Sequence, residues 1–459
     1  MHSKYGLLVL SSKNVQKLKV LLTSAAASLS SRLYIRLNTD APRTDNLVSK
    51  IYLNAANLCP KIDVRVLVKE VSGKTENYVL IGGEIPDKND NELLVKKYKN
   101  IVLGGTFDRL HNGHKVLLNK AAELASDNIV IGVTDKEMIN KKSLCEMIEP
   151  VEFRMKKIVD FVEDISGVAK CLAEPITDPF GPSTRIKDLE AIVVSRETIK
   201  GADAVNQKRS EQGMTQLDVI IVELLEGSDE ILKETKLSSS TRRREDLGRL
   251  LRPVQNSSSD LHRPYIIGLA GGIASGKSRI GKYLSEKYGF EVIDCDKLAH
   301  TCYEKGSSLS RKIGEHFGED IVVDGVVDRK KLGTIVFSNK KRLQELSELV
   351  WPEVLAKAKE IANKSTAKVV VIEAAALFEA GWHTSVAETW TVFIPAEEAI
   401  RRVVERDNLT EDQAKDRMSS QISNKERIDK SNVLLCSLWA YEETRAQVDR
   451  AVDDLMKRI

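Results

Sequence analysis

Short apolar runs of strand length alternate with stretches of helical spacing along the chain. Between the runs Ile101–Leu103 and Ile129–Val133, the apolar residues of 113–125 recur every three or four positions. Continuously apolar strands joined by helices form parallel sheets. The pattern therefore predicts an α/β fold with parallel strands. The same reasoning extends to six further strands, which are Ala191–Val194, Val219–Leu224, Tyr265–Ala270, Glu291–Ile293, Lys368–Ile372 and Thr389–Ile394.

Two polar stretches divide this pattern. Pro86–Glu92 and Asn256–Asp260 are rich in residues typical of linkers, and 459 residues suggest about three domains. We predict a small N-terminal α/β region at 1–92, a Rossmann-like domain at 95–250, a linker at 251–264 and a second parallel-sheet domain at 265–459. The sequence assigns the first region no role.

The N-terminus allows two interpretations. Residues 1–39 contain no Asp or Glu but six Lys and Arg residues, a composition typical of a mitochondrial transit peptide. The alternative is strand–helix–strand, at Gly6–Leu10, Asn14–Ala27 and Leu33–Leu37. We favour the folded interpretation because a transit peptide has no need for flanking strands.

Composition excludes several classes of protein. The 70 basic and 67 acidic residues nearly balance, and aromatic residues make up 5% of the chain, which argues against nucleic-acid binding. No run of about 18 apolar residues predicts a transmembrane segment. The six cysteines form no C-x-x-C pair and are expected to be free thiols in a reducing compartment. We therefore expect a cytoplasmic protein, with mitochondrial association as the alternative that the basic N-terminus leaves open.

A phosphate-binding loop opens the last domain. The run after the strand Tyr265–Ala270 fits G-x-x-x-x-G-K-[ST], whose backbone N–H groups wrap the phosphates of ATP at a helix N-terminus. Lys277 is expected to reach the β- and γ-phosphates, and the Ser278 hydroxyl to hold Mg²⁺. The predicted ATP-binding residues are Gly271, Gly272, Ile273, Ala274, Ser275, Gly276, Lys277 and Ser278.

Two further groups could complete a phosphoryl-transfer site. Asp294 and Asp296 follow the next strand, where a carboxylate can take the proton of an acceptor hydroxyl; alternatively both only cap the helix after them. Arg402 and Arg406 share a helix face and could neutralise the transferring phosphoryl group. The alternative for these arginines and the adjacent Arg401 is a solvated helix face paired with Glu405 and Asp407.

Together these motifs resemble dephospho-coenzyme A kinase. G-L-A-G-G-I-A-S-G-K-S, V-I-D-C-D, L-F-E at 377–379, R-x-x-x-R-D at 402–407 and Q-I-S-x-x-x-R at 421–427 all match that family. The resemblance implies that Asp296 accepts the proton of the ribose 3′-hydroxyl and that Arg402 and Arg406 belong to the lid. Three positions depart from the family, namely Trp351, Ala375 and Asn432, and they bring details of its substrate site into question.

A second motif lies in the central domain. Gly104 and Gly105 end a strand and would let a nucleotide approach the backbone, and His111 and His114 follow on one face of a first helical turn. Such imidazoles, whether neutral or protonated, can hold an anion at a helix N-terminus. The two alternatives are a zinc site, although no third ligand stands nearby, and histidines that only cap the helix.

The run G-G-T-F-D-x-x-H-x-G-H resembles the H-x-G-H nucleotidyltransferases. The resemblance implies in-line attack on the α-phosphate of ATP, with Thr106 positioning the attacking oxygen, His114 stabilising the α-phosphate and His111 contacting the triphosphate. The segment at 237–242 resembles that superfamily's I-S-S-T-x-R motif. Its predicted ATP-binding residues are Ser238, Ser239, Ser240 and Thr241, for which a serine-rich linker is the alternative. Lys142 and Arg196, in loops after predicted strands, are expected to join them; for these two, solvated charge is the alternative.

The order of the two motif sets resembles the bifunctional coenzyme A synthases of animals. That resemblance implies an enzyme with two activities, pantetheine-phosphate adenylyltransferase and dephospho-CoA kinase, with ATP, 4′-phosphopantetheine and dephospho-CoA as substrates and Mg²⁺ as cofactor. Two alternatives stay open: another H-x-G-H nucleotidyltransferase fused to a different small-molecule kinase, or a nucleotide-binding scaffold without turnover. The sequence names no protein partner.

Overall fold

The computed structural model describes residues 3–42, 46–68, 78–86, 97–167, 169–223, 238–254, 264–302, 306–337 and 339–459. They pack as two compact units, Met1–Arg242 and Arg243–Ile459. The predicted α/β class with parallel sheets is confirmed in both units. Within the described residues, no helix is long and apolar enough to cross a membrane.

The N-terminal region is a four-stranded parallel sheet with order β3-β2-β1-β4. Leu8, Leu22 and Leu33 are fully buried, so the acid-poor start of the chain folds as strand–helix–strand and supplies core residues. The elements are β1 Ser3–Leu10, α1 Leu18–Ser28, β2 Leu29–Leu37, α2 Leu47–Leu58, β3 Asp63–Val66 and β4 Val79–Ile81.

The central region is a five-stranded parallel sheet with order β7-β6-β5-β8-β9. Its elements are β5 Tyr98–Gly105, α3 Asn112–Leu124, β6 Ala125–Thr134, α4 Glu137–Asn140, α5 Val151–Ile165, β7 Lys170–Ile176, β8 Ala191–Ser195, α6 Ile199–Glu211, β9 Asp218–Val222 and α7 Ser239–Asp246.

One hydrophobic core serves both of these sheets. Ile51 and Tyr52 of α2 belong to the same buried cluster as Leu118 and Ala122 of α3 and Phe161 of α5. The region expected at 1–92 is therefore joined to the central domain by a shared core, and packing gives two units where the sequence suggested three domains.

The C-terminal unit is a second five-stranded parallel sheet, with order β11-β14-β10-β15-β16. Its elements are β10 Tyr265–Gly271, α8 Lys277–Tyr288, β11 Glu291–Asp294, α9 Cys295–Thr301, α10 Ser308–Phe317, the antiparallel pair β12 Val322–Val323 and β13 Val326–Val327, α11 Arg329–Phe337, α12 Lys340–Lys364, β14 Val369–Glu373, β15 Glu388–Phe393, α13 Ala396–Asp407, α14 Glu411–Ser419, α15 Asn424–Lys430, β16 Val433–Cys436 and α16 Tyr441–Met456.

The segment before β10 packs on the edge of this sheet, earlier than the boundary predicted at 250. Gly248 N donates to Leu434 O at 2.8 Å and Leu251 N donates to Asn432 O at 2.8 Å. Backbone pairing with an edge strand therefore ties 248–251 to the C-terminal unit. The predicted linker Asn256–Asp260 lies outside the described residues.

Candidate active sites

The phosphate-binding loop connects β10 to α8 through a left-handed turn. Ala274 and Gly276 have φ angles of +58° and +85°, and Gly276 is the N-cap residue of α8. A side chain at Gly271 would lie 2.5 Å from Ser275 Oγ, so this position requires glycine. The sequence predicts a helix at Arg279–Lys287 after the loop, and helix α8 begins two residues earlier, at Lys277, because the loop already supplies the cap. Lys277 and Ser278 thus lie in its first turn, where anions bind.

The loop borders a cavity of about 500 Å³. All eight residues predicted from the motif line it, together with Asp296 of α9 and with Arg402 and Arg406 of α13. The structure therefore brings together the kinase residues that the sequence proposed. Its other lining residues are Arg279, Ala375 and Gln421.

Glu373 is a functional candidate that the sequence reasoning missed. It ends β14, the neighbour of β10, and is buried. Its Oε1 accepts a hydrogen bond from Lys277 Nζ at 2.8 Å and from Ser278 Oγ at 2.5 Å. The available signal was its place at the carboxyl end of the apolar run 368–372, where α/β sheets bind ligands.

The two aspartates after β11 have different environments. Asp294 caps α9 by accepting from Lys297 N at 3.0 Å. Burial raises the pKa of Asp294, but its bonds to Lys297 outweigh this and hold the pKa below the ordinary value. Asp296 is 60% exposed, lines the cavity and lies 3.6 Å from Lys277 Nζ. The capping interpretation thus describes Asp294 and leaves Asp296 directed at the phosphate site.

Two of the three neighbouring arginines on α13 reach the cavity. Arg402 donates to Ser437 O at 2.7 Å and to Ala274 O at 3.4 Å, which ties it to the loop. Arg406 is held by Asp407 at 2.8 Å and lines the cavity. Arg401 instead pairs with glutamates on the exposed face. The solvated interpretation thus describes Arg401 and the Arg406–Asp407 pair, whereas Arg402 is directed at the loop.

The three departures from the kinase family lie in different places. Ala375 lines the cavity, so it can affect the substrate site. Trp351 is a residue of α12 and packs against the apolar core. Asn432 has a structural role, because its side chain accepts from Thr389 N at 2.9 Å and donates to Pro253 O at 3.2 Å.

The C-terminal site suits a magnesium ion that arrives with the nucleotide. Among the described residues no group of three His, Cys, Asp or Glu side chains could hold a metal by itself. Mg²⁺ commonly takes only one or two protein oxygens and completes its shell with phosphates and water. The Ser278 hydroxyl and the Glu373 carboxylate, already in contact, offer such oxygens.

The H-x-G-H segment begins helix α3 in the central region. His111 is its N-cap residue, and its backbone N donates to His114 Nδ1 at 3.5 Å. The two imidazole rings stack with centroids 3.8 Å apart, and Phe107 packs against His114. Because Nδ1 of neutral His114 accepts this bond, its proton is on Nε2, which can donate to a phosphate oxygen.

Both histidines are neutral at physiological pH. Burial lowers the pKa of His111 to about 4, and the positive charge of Arg242 adds to the effect. Burial and the neighbouring His111 lower the pKa of His114 well below its ordinary value. Among the protonation states considered from the sequence, the neutral imidazole is the one that fits.

This burial predicts that the N-terminal unit loses stability on mild acidification. Unfolded imidazoles bind a proton below about pH 6.5, whereas folded His111 does so only near pH 4. The free energy of unfolding should therefore fall by up to about 1.4 kcal/mol per pH unit for His111 between these values. The lowered pKa of His114 adds a fall in the same direction. Urea unfolding at several pH values measures this slope. Carboxylates act in the same direction, so His111→Asn is the control: an unchanged slope in that variant would contradict the assignment.

A buried arginine fixes the strand ends that carry the site. Arg154 is fully buried and donates to Thr106 O at 2.6 Å and Thr134 O at 2.9 Å. Thr134 Oγ1 donates to Thr106 Oγ1 at 2.9 Å. Thr106 is thus held where β5 and β6 end. The role of Arg154 could not be predicted from the sequence, because Arg154 lies in an ordinary amphipathic helix.

The serine-rich segment at 238–241 lies beside the loop that connects β5 to α3. Ser239 Oγ donates to Asp108 O at 3.0 Å, and Thr241 N donates to Ser238 Oγ at 3.2 Å at the start of α7. Ser240 is exposed. These contacts favour a phosphate-binding segment over a free linker.

Lys142 and Arg196 lie in exposed turns of the same region. Lys142 follows α4, and Arg196 follows β8 and pairs with Glu223. Because the sheet is parallel, β8 ends at the same edge as β5. Their roles in ATP binding stay predictions.

Known proteins match the two parts of the chain separately. The dephospho-CoA kinase family model matches residues 265–437 and the cytidylyltransferase-like model matches residues 102–246. Dephospho-CoA kinase from Fusobacterium nucleatum is 40% identical over 186 residues, 40% of this chain and 95% of that protein. Phosphopantetheine adenylyltransferase from Pyrococcus furiosus is 45% identical over 130 residues, 28% of this chain and 80% of that protein.

A solved structure of dephospho-CoA kinase from Campylobacter jejuni is 27% identical and covers 42% of this chain and 97% of that one, with a TM-score of 0.34. The two curated relatives above are matched over most of their own length. The chain therefore belongs to the phosphopantetheine adenylyltransferases in its central region and to the dephospho-CoA kinases in its C-terminal unit, and it joins both enzymes of coenzyme A biosynthesis in one polypeptide.

Proposed function

We propose that the chain makes coenzyme A by two consecutive transfers. The first joins 4′-phosphopantetheine to the AMP part of ATP, releasing pyrophosphate; the second phosphorylates the ribose 3′-hydroxyl of the product with another ATP. The observation that carries this proposal is the cavity that the phosphate loop borders, with Lys277, Asp296 and Arg402 in its lining. The same chain also carries the H-x-G-H helix.

Adenylyl transfer needs positioning and charge stabilisation rather than a covalent intermediate. An oxygen of the 4′-phosphate attacks the α-phosphorus of ATP, and the bond to the pyrophosphate breaks. Thr106 orients the attacking phosphate, and neutral His114 donates from Nε2 to an α-phosphate oxygen as charge builds there. His111 and the segment from Ser238 to Thr241 hold the β- and γ-phosphates.

In the kinase step Asp296 takes the proton of the 3′-hydroxyl as its oxygen attacks the γ-phosphorus and ADP leaves. Lys277 and the loop N–H groups bind the phosphates. Arg402 and Arg406 offset the charge of the transferring group. Ser278 and Glu373 would hold Mg²⁺, which neutralises phosphate charge when it is bound with ATP.

Replacing Glu373 by glutamine should lower the kinase kcat about 10- to 100-fold and raise the Mg²⁺ concentration for half-maximal rate, since the carboxylate that orders Lys277 and Ser278 is lost. Steady-state kinetics on dephospho-CoA, titrated with Mg²⁺, measure this. Glu388→Gln is the matched control, because Glu388 is also buried but bonds to Trp390 and Arg458. Equal kinase kinetics for both variants would contradict the role of Glu373.

The choice of adenylyl acceptor separates this proposal from its enzymatic alternative. Pyrophosphate release is measured with purified chain, ATP, Mg²⁺ and one of three acceptors: 4′-phosphopantetheine, nicotinamide mononucleotide or choline phosphate. We expect release with the first alone. Release with another acceptor would support a different H-x-G-H enzyme, and release with none would support a nucleotide-binding scaffold. That the chain is of the animal type of bifunctional coenzyme A synthase stays a prediction.

The location of the protein also stays a proposal. All six cysteines are free, as expected in a reducing compartment such as the cytoplasm. Mitochondrial association is tested by fractionating cells that express the tagged chain.

A further inference from the structure

The N-terminal layer, which we define as the described residues of 3–86, contacts the helix that carries the H-x-G-H motif. Asn112, the first residue of α3, donates from Nδ2 to Tyr52 O at 2.9 Å. Two turns along, Asn119 Nδ2 donates to the Tyr52 hydroxyl at 3.0 Å, and this hydroxyl also accepts from Val66 N. Tyr52 is thus fixed between its own layer and α3.

Lys115, the residue after His114, provides the strongest contact of this kind. Its side chain is buried, and its Nζ donates to Asp63 Oδ1 at 2.6 Å and to Val64 O at 3.0 Å. Burial lowers the pKa of Lys115, and the charge of Asp63 opposes that shift. An ammonium group in this position needs its carboxylate partner.

Asn112, Lys115 and Asn119 form one stripe of α3, because they are three and four residues apart. A stripe made only to fill a core would be apolar. Hydrogen bonds are directional, so these three polar contacts fix both the rotation of α3 and its position along its axis. His111 and His114 lie at the start of α3, so the same contacts fix their positions.

A second set of polar contacts joins the layer to α5 instead. Asp164 accepts from Arg65 Nη1 at 2.7 Å and from the Tyr34 hydroxyl at 3.0 Å. It holds the same two regions together from the opposite end of α5 to Arg154, the residue of that helix that supports Thr106. Arg65 also donates to Asp63, so the two aspartates share a partner, but the bond to Lys115 of α3 is made by Asp63. Asp164 therefore offers a matched control for Asp63.

We propose that the N-terminal layer positions the H-x-G-H helix for adenylyl transfer, with Asp63 and Tyr52 as positioning residues that act through Lys115, Asn112 and Asn119. This inference rests on the proposed function of that site. It gives residues 1–92, for which the sequence suggested no role, a part in the first reaction.

The test compares Asp63→Asn with Asp164→Asn in the full chain. Asp63→Asn should lower the kcat of adenylyl transfer about tenfold or more with little change in the KM values, since small displacements of catalytic groups are costly. Asp63→Glu should restore most of the rate. Asp164→Asn should lower thermal stability but keep kcat, and phosphorylation of supplied dephospho-CoA should be unchanged in all three variants.

Unchanged kcat in Asp63→Asn, or rates that fall equally in Asp63→Asn and Asp164→Asn, would overturn the proposal. Histidine ring resonances give a readout that needs no turnover: those of His111 and His114 should shift in Asp63→Asn and stay in place in Asp164→Asn. If the wild-type chain transfers no adenylyl group, the proposed function fails, whereas these resonances still decide whether Asp63 positions the helix.

Discussion

Asp296→Asn is expected to abolish 3′-phosphorylation while adenylyl transfer continues, so that dephospho-CoA accumulates. Asp296 lines the cavity beside Lys277 and is free of the capping role that occupies Asp294. An amide cannot take the proton of the attacking hydroxyl. Loss of a positioned general base lowers rates by roughly 10²- to 10⁴-fold, and ADP release with supplied dephospho-CoA measures the loss.

Asp294→Asn is the matched control for this prediction. It makes the same change two residues earlier, and asparagine is also a good N-cap residue. Its kinase rate should stay close to that of the wild type. Full 3′-kinase activity in Asp296→Asn, or an equal loss in both variants, would remove Asp296 as the base.

The second large effect is expected from His114→Ala, which should lower adenylyl transfer by roughly 10²- to 10³-fold, as removal of one oxyanion donor does. The neutral ring of His114 offers its Nε2 proton to the α-phosphate, and alanine offers no donor. Pyrophosphate release measures the loss, and unchanged phosphorylation of supplied dephospho-CoA shows that the variant is folded. Normal pyrophosphate release by His114→Ala would contradict the assignment.

Mixing the two variants gives a further check. His114→Ala retains the kinase site and Asp296→Asn retains the adenylyltransferase site. The mixture should therefore turn 4′-phosphopantetheine into coenzyme A, although neither variant does so alone. A mixture that stops at dephospho-CoA would show that a substitution in one site disables the other.

The sequence predicted those parts of the fold and sites that depend on neighbouring residues. The apolar runs gave the strands, and the phosphate loop and the H-x-G-H turn were recognised because each is continuous in the chain. The family resemblance that they suggested is confirmed by the comparisons. Asp296 could be proposed because it follows a predicted strand, and Arg402 because it shares a helix face with Arg406.

What the sequence missed depends on contacts between distant residues. Glu373 meets Lys277 only because β14 lies beside β10. Arg154 reaches Thr106 from a helix that looks ordinary in sequence, and Asp63 meets Lys115 only once α2 and β3 have packed on α3. The backbone hydrogen bonds between 248–251 and the edge of the sheet at β16 could not be predicted either, because backbone pairing leaves no pattern of side chains in the sequence.

A time course of products from 4′-phosphopantetheine tests the central claim most directly. The purified full chain is incubated with ATP and Mg²⁺, and products are resolved by mass spectrometry. We predict that dephospho-CoA rises first and then declines as coenzyme A accumulates, with one pyrophosphate and one ADP released per coenzyme A. No adenylylated product, or dephospho-CoA that is never phosphorylated, would contradict the account of a single chain that performs both steps.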